Sequence, residues 1–153
     1  MLPAAMRRGG LLLLVLVFLA GCAPAPQALK AALRSPDPEV RRRALFAVAR
    51  RGERALLDEV VRLLHHDPLV YLRKKAATTL GWLGDRRALA PLARALREDP
   101  EPLVREEAAY ALAMLGGAQA RAALQEAWPR EADAAVRQGI VTALQRLEAA
   151  GGG

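Results

Sequence analysis

The chain is poor in the side chains that most often act as nucleophiles. Its 153 residues include one cysteine, Cys22, and one serine, Ser35. A single thiol excludes an intramolecular disulfide, and the sequence after position 22 carries no thiol, so its fold is indifferent to redox compartment. Ser35 stands in a Ser-Pro-Asp-Pro segment typical of a helix start. We therefore predict no cysteine or serine nucleophile.

Histidine is equally scarce. The two histidines, His65 and His66, are adjacent, and adjacent helical residues point in different directions, so they cannot form an i,i+4 metal-binding pair. The carboxylates are scattered without a visible catalytic pair. We predict no metal site and no cofactor, and we expect a protein that is not an enzyme.

Aromatic residues make up 4% of the chain, and β-branched residues are sparse. Alanine, leucine and arginine dominate instead, and all three are good helix formers. The composition therefore predicts an all-α fold.

One long apolar run stands near the N-terminus. Residues 11–20, LLLLVLVFLA, follow Arg7 and Arg8. Ten residues are too few to span a bilayer, but they match the apolar core of a signal peptide. A secretory leader with a chance cysteine, or a short membrane anchor, would also fit this pattern.

The end of that run, Leu19-Ala20-Gly21-Cys22, resembles the lipobox of bacterial lipoproteins. The resemblance implies that Cys22 receives a lipid and that a peptidase recognising Leu19, Ala20 and Gly21 removes residues 1–21. Residues 22–27 would then be a lipidated cysteine and spacer. The implied location is extracytoplasmic, on a bacterial membrane. In this family an Asp directly after the cysteine favours retention in the inner membrane. Ala23 stands at that position here, which favours the outer membrane.

The remaining sequence is a repeat with a period of 32 residues. Four arginines stand at that spacing: Arg41, Arg73, Arg105 and Arg137. Apolar residues recur at the same offsets from each arginine, in the i, i+3, i+4, i+7 pattern of an amphipathic helix. A fixed period of this length is typical of stacked supersecondary units.

Each unit is predicted to be a helical hairpin. Asp-Pro pairs start the first helices at 38–51, 69–83 and 101–115, and Asp133 starts one at 133–148. Gly52, Gly84 and Gly116 fit left-handed C-terminal caps. Second helices are predicted at 54–65, 86–97 and 118–128, with Trp128 in the core. The folded domain is predicted over residues 28–149, and residues 150–153 as a flexible tail.

These units resemble HEAT-like repeats of the type found in phycobilisome lyases. The residues that carry the likeness are Leu72-Arg73, Ala76-Ala77, Leu80-Gly81 and Leu83-Gly84. The resemblance implies an α-α superhelix of the HEAT/armadillo solenoid type, with about three and a half to four repeats. In this family the repeated arginine commonly pairs with an aspartate of its own or the neighbouring repeat. The resemblance therefore predicts a structural ladder with Asp67 and Asp99, and with Asp37 and Asp133 at the ends.

Basic residues are concentrated in the first half of the chain. Residues 30–97 carry a net charge of +9, and residues 98–153 carry −4. Arg42 and Arg43 share repeat positions with Lys74 and Lys75, so the four are predicted to form a basic face. That face could contact anionic lipid or an acidic protein, or could simply be solvated. Nucleic acid is not predicted, because no aromatic residues are interleaved.

Four large apolar residues occupy repeat positions that are usually polar. Trp82 and Met114 form one equivalent pair, and Tyr71 and Leu103 form a second. We predict a surface patch that binds a partner, although packing between repeats could bury the same residues. Solenoids usually bind along the concave face, which we expect the second helices to line.

The sequence therefore predicts a membrane-anchored HEAT-repeat lipoprotein that is not an enzyme and acts as a protein–protein interaction scaffold or adaptor at the cell envelope. Its protein partner is unknown. Two alternatives remain open. One is an accessory or subunit of a lyase-like enzyme, and the other is a membrane-surface spacer that docks through its basic N-terminal half.

Overall fold

The computed structural model describes residues 25–151, and within them every regular element is helical. Residues 1–24, which include the predicted lipidation site Cys22 and the recognition residues Leu19, Ala20 and Gly21, lie outside the described part, as do residues 152–153. The α-helices in chain order are α1 Pro26–Leu33, α2 Pro38–Arg51, α3 Leu57–His66, α4 Val70–Leu83, α5 Leu89–Glu98, α6 Pro102–Leu115, α7 Gly117–Ala127 and α8 Ala134–Gly151.

The first helix of each repeat starts where an aspartate accepts hydrogen bonds from backbone amides. Asp37 accepts from the amide of Glu39 at 2.8 Å, and Asp133 accepts from the amide of Ala135 at 2.8 Å. Asp67 and Asp99 make the equivalent bond to the residue two positions on. These bonds satisfy amides that have no partner inside the helix. Helix α2 begins where predicted, whereas α4, α6 and α8 each begin one residue later than predicted.

Glycine ends the first helices, but in two different ways. Gly52 and Gly84 adopt the predicted left-handed conformation. Gly116 has a φ of 71° but a ψ of −175°, so it does not adopt the predicted left-handed helical conformation. As a result α7 begins directly after it, whereas short 3₁₀ turns, Arg54–Leu56 and Arg86–Ala88, precede α3 and α5.

The helices form two layers around one apolar core. Helices α2, α4, α6 and α8 make one layer, and α3, α5 and α7 make the other. The buried side chains between them are almost all leucine, alanine and valine. This arrangement confirms the predicted all-α superhelix.

The layer of first helices is the more tightly spaced one. In a curved stack the more closely spaced layer lies on the inner side, so α2, α4, α6 and α8 line the concave face. The expectation that the second helices line it is therefore wrong. Glu59, on the second helix α3, is 7% exposed.

The repeated arginines form the ladder that the sequence predicts. Arg41 pairs with Asp67 at 2.7 Å, Arg73 pairs with Asp99 at 2.8 Å, and each acid belongs to the next repeat. Each arginine also donates to the backbone carbonyl six residues before it, as Arg41 does to Ser35 at 2.8 Å. The pairs are mostly buried, with the Asp67 side chain 1% exposed, so removing one partner would leave an uncompensated charge in the interior.

Helix α1 covers the first end of the stack. Leu29 and Leu33 are fully buried. The Glu59 carboxylate on α3 accepts from Arg34 just beyond α1, and this guanidinium is the main reason that the pKa of Glu59 lies below its ordinary value. Apolar contact and a charged clamp together fix the half-repeat that the sequence predicts.

Three details differ from the sequence-based expectations. Helix α1 starts at Pro26, inside the predicted spacer, and α8 continues to Gly151, inside the predicted tail. Trp128 is 48% exposed rather than buried, because α7 ends at Ala127 and a 3₁₀ turn containing Pro129 redirects the chain. Within the described residues, each helix is too short or too polar to cross a bilayer.

Candidate functional site

An open cleft separates α2 from α4 on the concave layer. Its cavity volume is about 360 Å³, and most of its lining is apolar. Phe46 on α2 and Trp82 on α4 wall it, and each is 65% exposed. Leu45 and Ala49 form the floor with Thr79, whose hydroxyl donates to the backbone carbonyl of Lys75 at 2.9 Å. This α2–α4 cleft combines large exposed aromatic surfaces with a preformed cavity, as binding sites do.

Three cations edge the α2–α4 cleft: Arg42, Arg50 and Lys75. Arg42 pairs with Glu39 on its own helix at 2.8 Å, and this hydrogen-bonded pair raises the pKa of Arg42 and lowers that of Glu39. Among residues 25–151, Arg50 and Lys75 form no ion pair. The cleft therefore has an apolar interior and a positive rim.

The equivalent interface one repeat on, between α4 and α6, is closed. A Cβ added at Gly81 would lie 3.1 Å from both the Ala111 Cα and the Met114 sulfur, so the missing side chain allows the two helices to come together. Glu107 reaches back from α6 to accept from the Thr78 hydroxyl at 2.8 Å and to pair with Lys74 at 3.8 Å. Glycine and a cross-helix carboxylate thus seal this interface.

The predicted apolar patch is exposed, but its members are grouped differently. Trp82 lines the α2–α4 cleft opposite Phe46, whereas Met114 lies over Gly81 in the next interface. Tyr71 is 41% exposed and Leu103 is 54% exposed, near the starts of α4 and α6. The residue that completes the aromatic wall is Phe46, which the sequence analysis missed.

The predicted basic face is divided. Arg42 and Lys75 line the α2–α4 cleft, Lys74 pairs with Glu107, and Arg43 is exposed on α2. Several other arginines of the basic half serve the fold. Arg54, for example, donates to the carbonyl of Leu83 at 3.0 Å near the end of α4.

Phe46 had a signal in the repeat. It occupies the position of Thr78, Tyr110 and Thr142, so it is a large apolar residue where hydroxyl-bearing residues stand elsewhere. Arg50 shares its repeat position with Trp82. Comparing each unit with its neighbours at the position of Phe46 would have found this residue.

The adjacent histidines border a second, more polar cavity of about 300 Å³, together with Arg94, Glu98 and Asp99. Burial, followed by the nearby Arg94 charge, lowers the pKa of His65 below its ordinary value. In the part of the chain that the structure describes, no group of three or more His, Cys, Asp or Glu residues is placed to hold a metal ion.

Comparison with known proteins establishes the family. The family model for HEAT repeats matches residues 25–113 and 67–145. The chain belongs to the HEAT-repeat family. No sequence relative of curated function matches it significantly.

Two solved structures share this HEAT-repeat fold over 82% of the chain. Human deoxyhypusine hydroxylase, solved in complex with glycerol, superposes with a TM-score of 0.72 at 30% identity, and the match covers 45% of that chain. The complex of CpcE and CpcF of phycocyanin lyase from Nostoc sp. PCC7120 superposes with a TM-score of 0.68 at 26% identity, and the match covers 54% of that chain. The HEAT-repeat chain thus spans about half the length of each.

These likenesses correct one expectation from the sequence. We expected a protein that is not an enzyme, because its side chains include no obvious nucleophile or metal site. Two of the solved structures that share the HEAT-repeat fold are a hydroxylase and a complex of lyase subunits. Scarcity of familiar catalytic residues was therefore the wrong criterion for a family whose members include enzymes.

Proposed function

We propose that the chain is a HEAT-repeat subunit, or an accessory protein, of a lyase-like enzyme. The observation that carries this proposal is the likeness of its fold to a lyase complex of two chains. The chain matches that complex over 82% of its own length, with a TM-score of 0.68. In such an assembly a HEAT-repeat array would bring a binding surface to a partner.

The α2–α4 cleft supports the same proposal. It is preformed, lies on the concave layer and exposes two aromatic side chains that a partner can cover. Exposed aromatic residues next to arginine are the residue types that dominate binding energy in protein interfaces. A subunit that acts by holding its partner needs such a surface.

The test is to isolate the C-terminally tagged full chain from its own host in mild detergent and to identify proteins that remain bound through gel filtration. We expect a second polypeptide in fixed stoichiometry, whose lyase activity rises when the chain is added back. A partner whose activity is unchanged in a strain lacking the chain would contradict the proposal, as would a chain that elutes alone.

We further propose that the chain is anchored to a bacterial membrane, facing the periplasm, through lipid on Cys22. The support comes from the sequence: a basic start, a ten-residue apolar run and the Leu-Ala-Gly-Cys ending. A single acyl chain binds membranes weakly, whereas two or three hold a protein firmly.

Metabolic labelling with palmitate tests the anchor. We expect label in the wild-type chain and none in Cys22→Ser, with the variant released into the soluble fraction. Label that persists in Cys22→Ser would show that the lipid is attached elsewhere. Floating the two membranes apart on a density gradient would then decide between the inner membrane and the expected outer membrane.

A further inference from the structure

Two of the cations at the rim of the α2–α4 cleft, Arg50 and Lys75, have no carboxylate partner among the described residues. By the 32-residue repeat, Arg42 corresponds to Lys74, and Lys75 corresponds to Glu107. In the α4–α6 interface those positions hold a cation and a carboxylate that attract each other. In the α2–α4 interface both positions hold cations: Arg42 is paired with Glu39 on its own helix, and within residues 25–151 Lys75 has no carboxylate across the interface, nor has Arg50 at the rim.

The cleft also leaves two large aromatic side chains exposed to solvent. Phe46 and Trp82 keep 65% of their surface exposed although they stand on either side of one cavity. Covering two large aromatic faces removes much apolar surface from water and is favourable. An occupant that fits must therefore carry both a bulky apolar group and negative charge.

We propose that the α2–α4 cleft binds an acidic segment of a partner protein. A bulky apolar side chain of that segment enters between Phe46 and Trp82, and flanking carboxylates meet Arg42, Arg50 and Lys75. This inference rests on the proposed function in requiring a protein partner, and it adds that partner's chemistry and the site at which it docks.

The shape of the surface favours a peptide over a membrane. The cleft lies on the concave layer, where a flat bilayer surface makes poor contact, whereas an extended or helical segment can lie along the groove. The cations also stand around an apolar cavity rather than across one flat face. Helix-in-groove recognition uses this combination of apolar anchor and charged flank.

Binding can be followed through Trp82 itself. The chain has two tryptophans, so the full chain carrying Trp128→Phe, purified in non-ionic detergent, reports on Trp82 alone. The probes are three synthetic peptides: one with a central Phe-Leu pair flanked by glutamates, one with lysines in place of the glutamates, and one with serines in place of Phe-Leu.

We expect the acidic Phe-Leu peptide alone to shift the Trp82 emission to shorter wavelength and to bind saturably. Binding should weaken as salt is raised, since the rim charges are exposed and screened. Equal binding of the lysine peptide would overturn the role of charge. Equal binding of the serine peptide would overturn the role of the aromatic walls.

Matched variants locate the site. Phe46→Ala and Arg50→Glu are each expected to weaken binding of the acidic peptide about tenfold or more. The controls lie outside the cleft: Met114→Ala removes another large exposed apolar group, and Arg146→Glu makes the same change of charge at the repeat position equivalent to Arg50. Circular dichroism confirms that each variant is folded. Losses that are equal in cleft variants and controls would overturn the assignment.

Vesicles test the competing occupant. Phosphatidylglycerol vesicles should bind wild type and Phe46→Ala equally well. If Phe46→Ala abolishes vesicle binding and leaves peptide binding intact, the cleft serves a membrane and the proposal is wrong.

Peptide binding without any enzyme partner in the host would contradict the proposed function alone. An enzyme partner retained fully by Phe46→Ala and Arg50→Glu would contradict this inference alone.

Discussion

The α2–α4 and α4–α6 interfaces are built from the same repeat, yet one is open and the other is closed. Both contain an arginine–aspartate pair of the ladder, at 2.7 and 2.8 Å. They differ in side chains on the concave layer: Ala49 stands where α4 has Gly81, Phe46 where it has Thr78, and Lys75 where α6 has Glu107. The comparison teaches that the ladder holds neighbouring repeats together, while residues outside the consensus set the width of the groove.

The largest expected effect comes from cutting the ladder, which both interfaces share. Asp67→Asn and Asp99→Asn leave Arg41 or Arg73 as a buried cation without its carboxylate. We expect each to lower the free energy of unfolding by about 3 kcal/mol, measured by urea denaturation followed by circular dichroism. Similar losses would show that the ladder is uniform and that the difference in width has another origin. Arg42→Ala, which removes an exposed pair, should leave the urea midpoint unchanged.

A second prediction tests the glycine that closes the α4–α6 interface. Gly81→Leu should cost about 2 kcal/mol, because the added side chain meets the α6 backbone at Ala111 in a space that has no room for it. Ala49→Leu, at the equivalent position in the open cleft, should cost less than half as much. Equal losses in urea denaturation would mean that Gly81 does not determine how closely the helices approach.

Exchanging the cross-helix charges should change stability less than the Gly81 substitution does. The change should be a loss at the α4–α6 interface and a gain at the α2–α4 interface. Glu107→Lys loses the hydrogen bond from Thr78 and faces Lys74 with a like charge, for an expected loss of about 1 kcal/mol. Lys75→Glu places a carboxylate opposite Arg42 and should raise the urea midpoint slightly at low salt, with the gain vanishing near 1 M salt. A lower midpoint for Lys75→Glu would contradict the idea that the described part of the α2–α4 interface lacks a cross-helix carboxylate.

The smallest effect is a pH dependence at the third ladder pair. Arg105 donates two 2.8 Å hydrogen bonds to Glu131, which hold the pKa of Glu131 below its ordinary value. The pair therefore stabilises the fold above the unfolded pKa of about 4.3, and this contribution is lost as pH falls through the lower folded pKa. Glu131→Gln should weaken the fall of stability below about pH 5. An unchanged pH profile would exclude Glu131 as a source of acid sensitivity, and Glu126→Gln, in an exposed pair, is the control.

The repeat made most of the fold predictable. Four arginines at one spacing, with apolar residues at fixed offsets, were enough to predict the helix pairs, and the resemblance to HEAT-like repeats predicted the ladder at Asp67 and Asp99. The last link was harder to predict, because Glu131 rather than Asp133 pairs with Arg105. The prediction that Trp128 lies in the core was wrong, because Pro129 turns the chain before the helix can bring the indole inside.

The candidate site was less predictable, since it depends on departures from the repeat. Trp82 stood out as a large residue at a usually polar position, but its neighbour in space is Phe46 of the preceding repeat rather than Met114. Alignment shows which positions are equivalent, whereas the spacing of two helices depends on volume differences as small as that between Ala49 and Gly81. Those differences become visible once backbone distances are known.

Because every ladder pair joins one repeat to the next, the pairs also make the unfolding of neighbouring repeats cooperative. When one repeat unfolds, the ion pair that it shares with its neighbour breaks. The neighbour then holds a buried charge without its partner, so adjacent repeats tend to unfold together. Arg137 donates to the carbonyl of Glu131 at 3.2 Å and, among the described residues, has no carboxylate of a following unit. Amide hydrogen exchange should therefore be slowest in α4 and α6, and the fastest route to proteolytic attack should begin at α8.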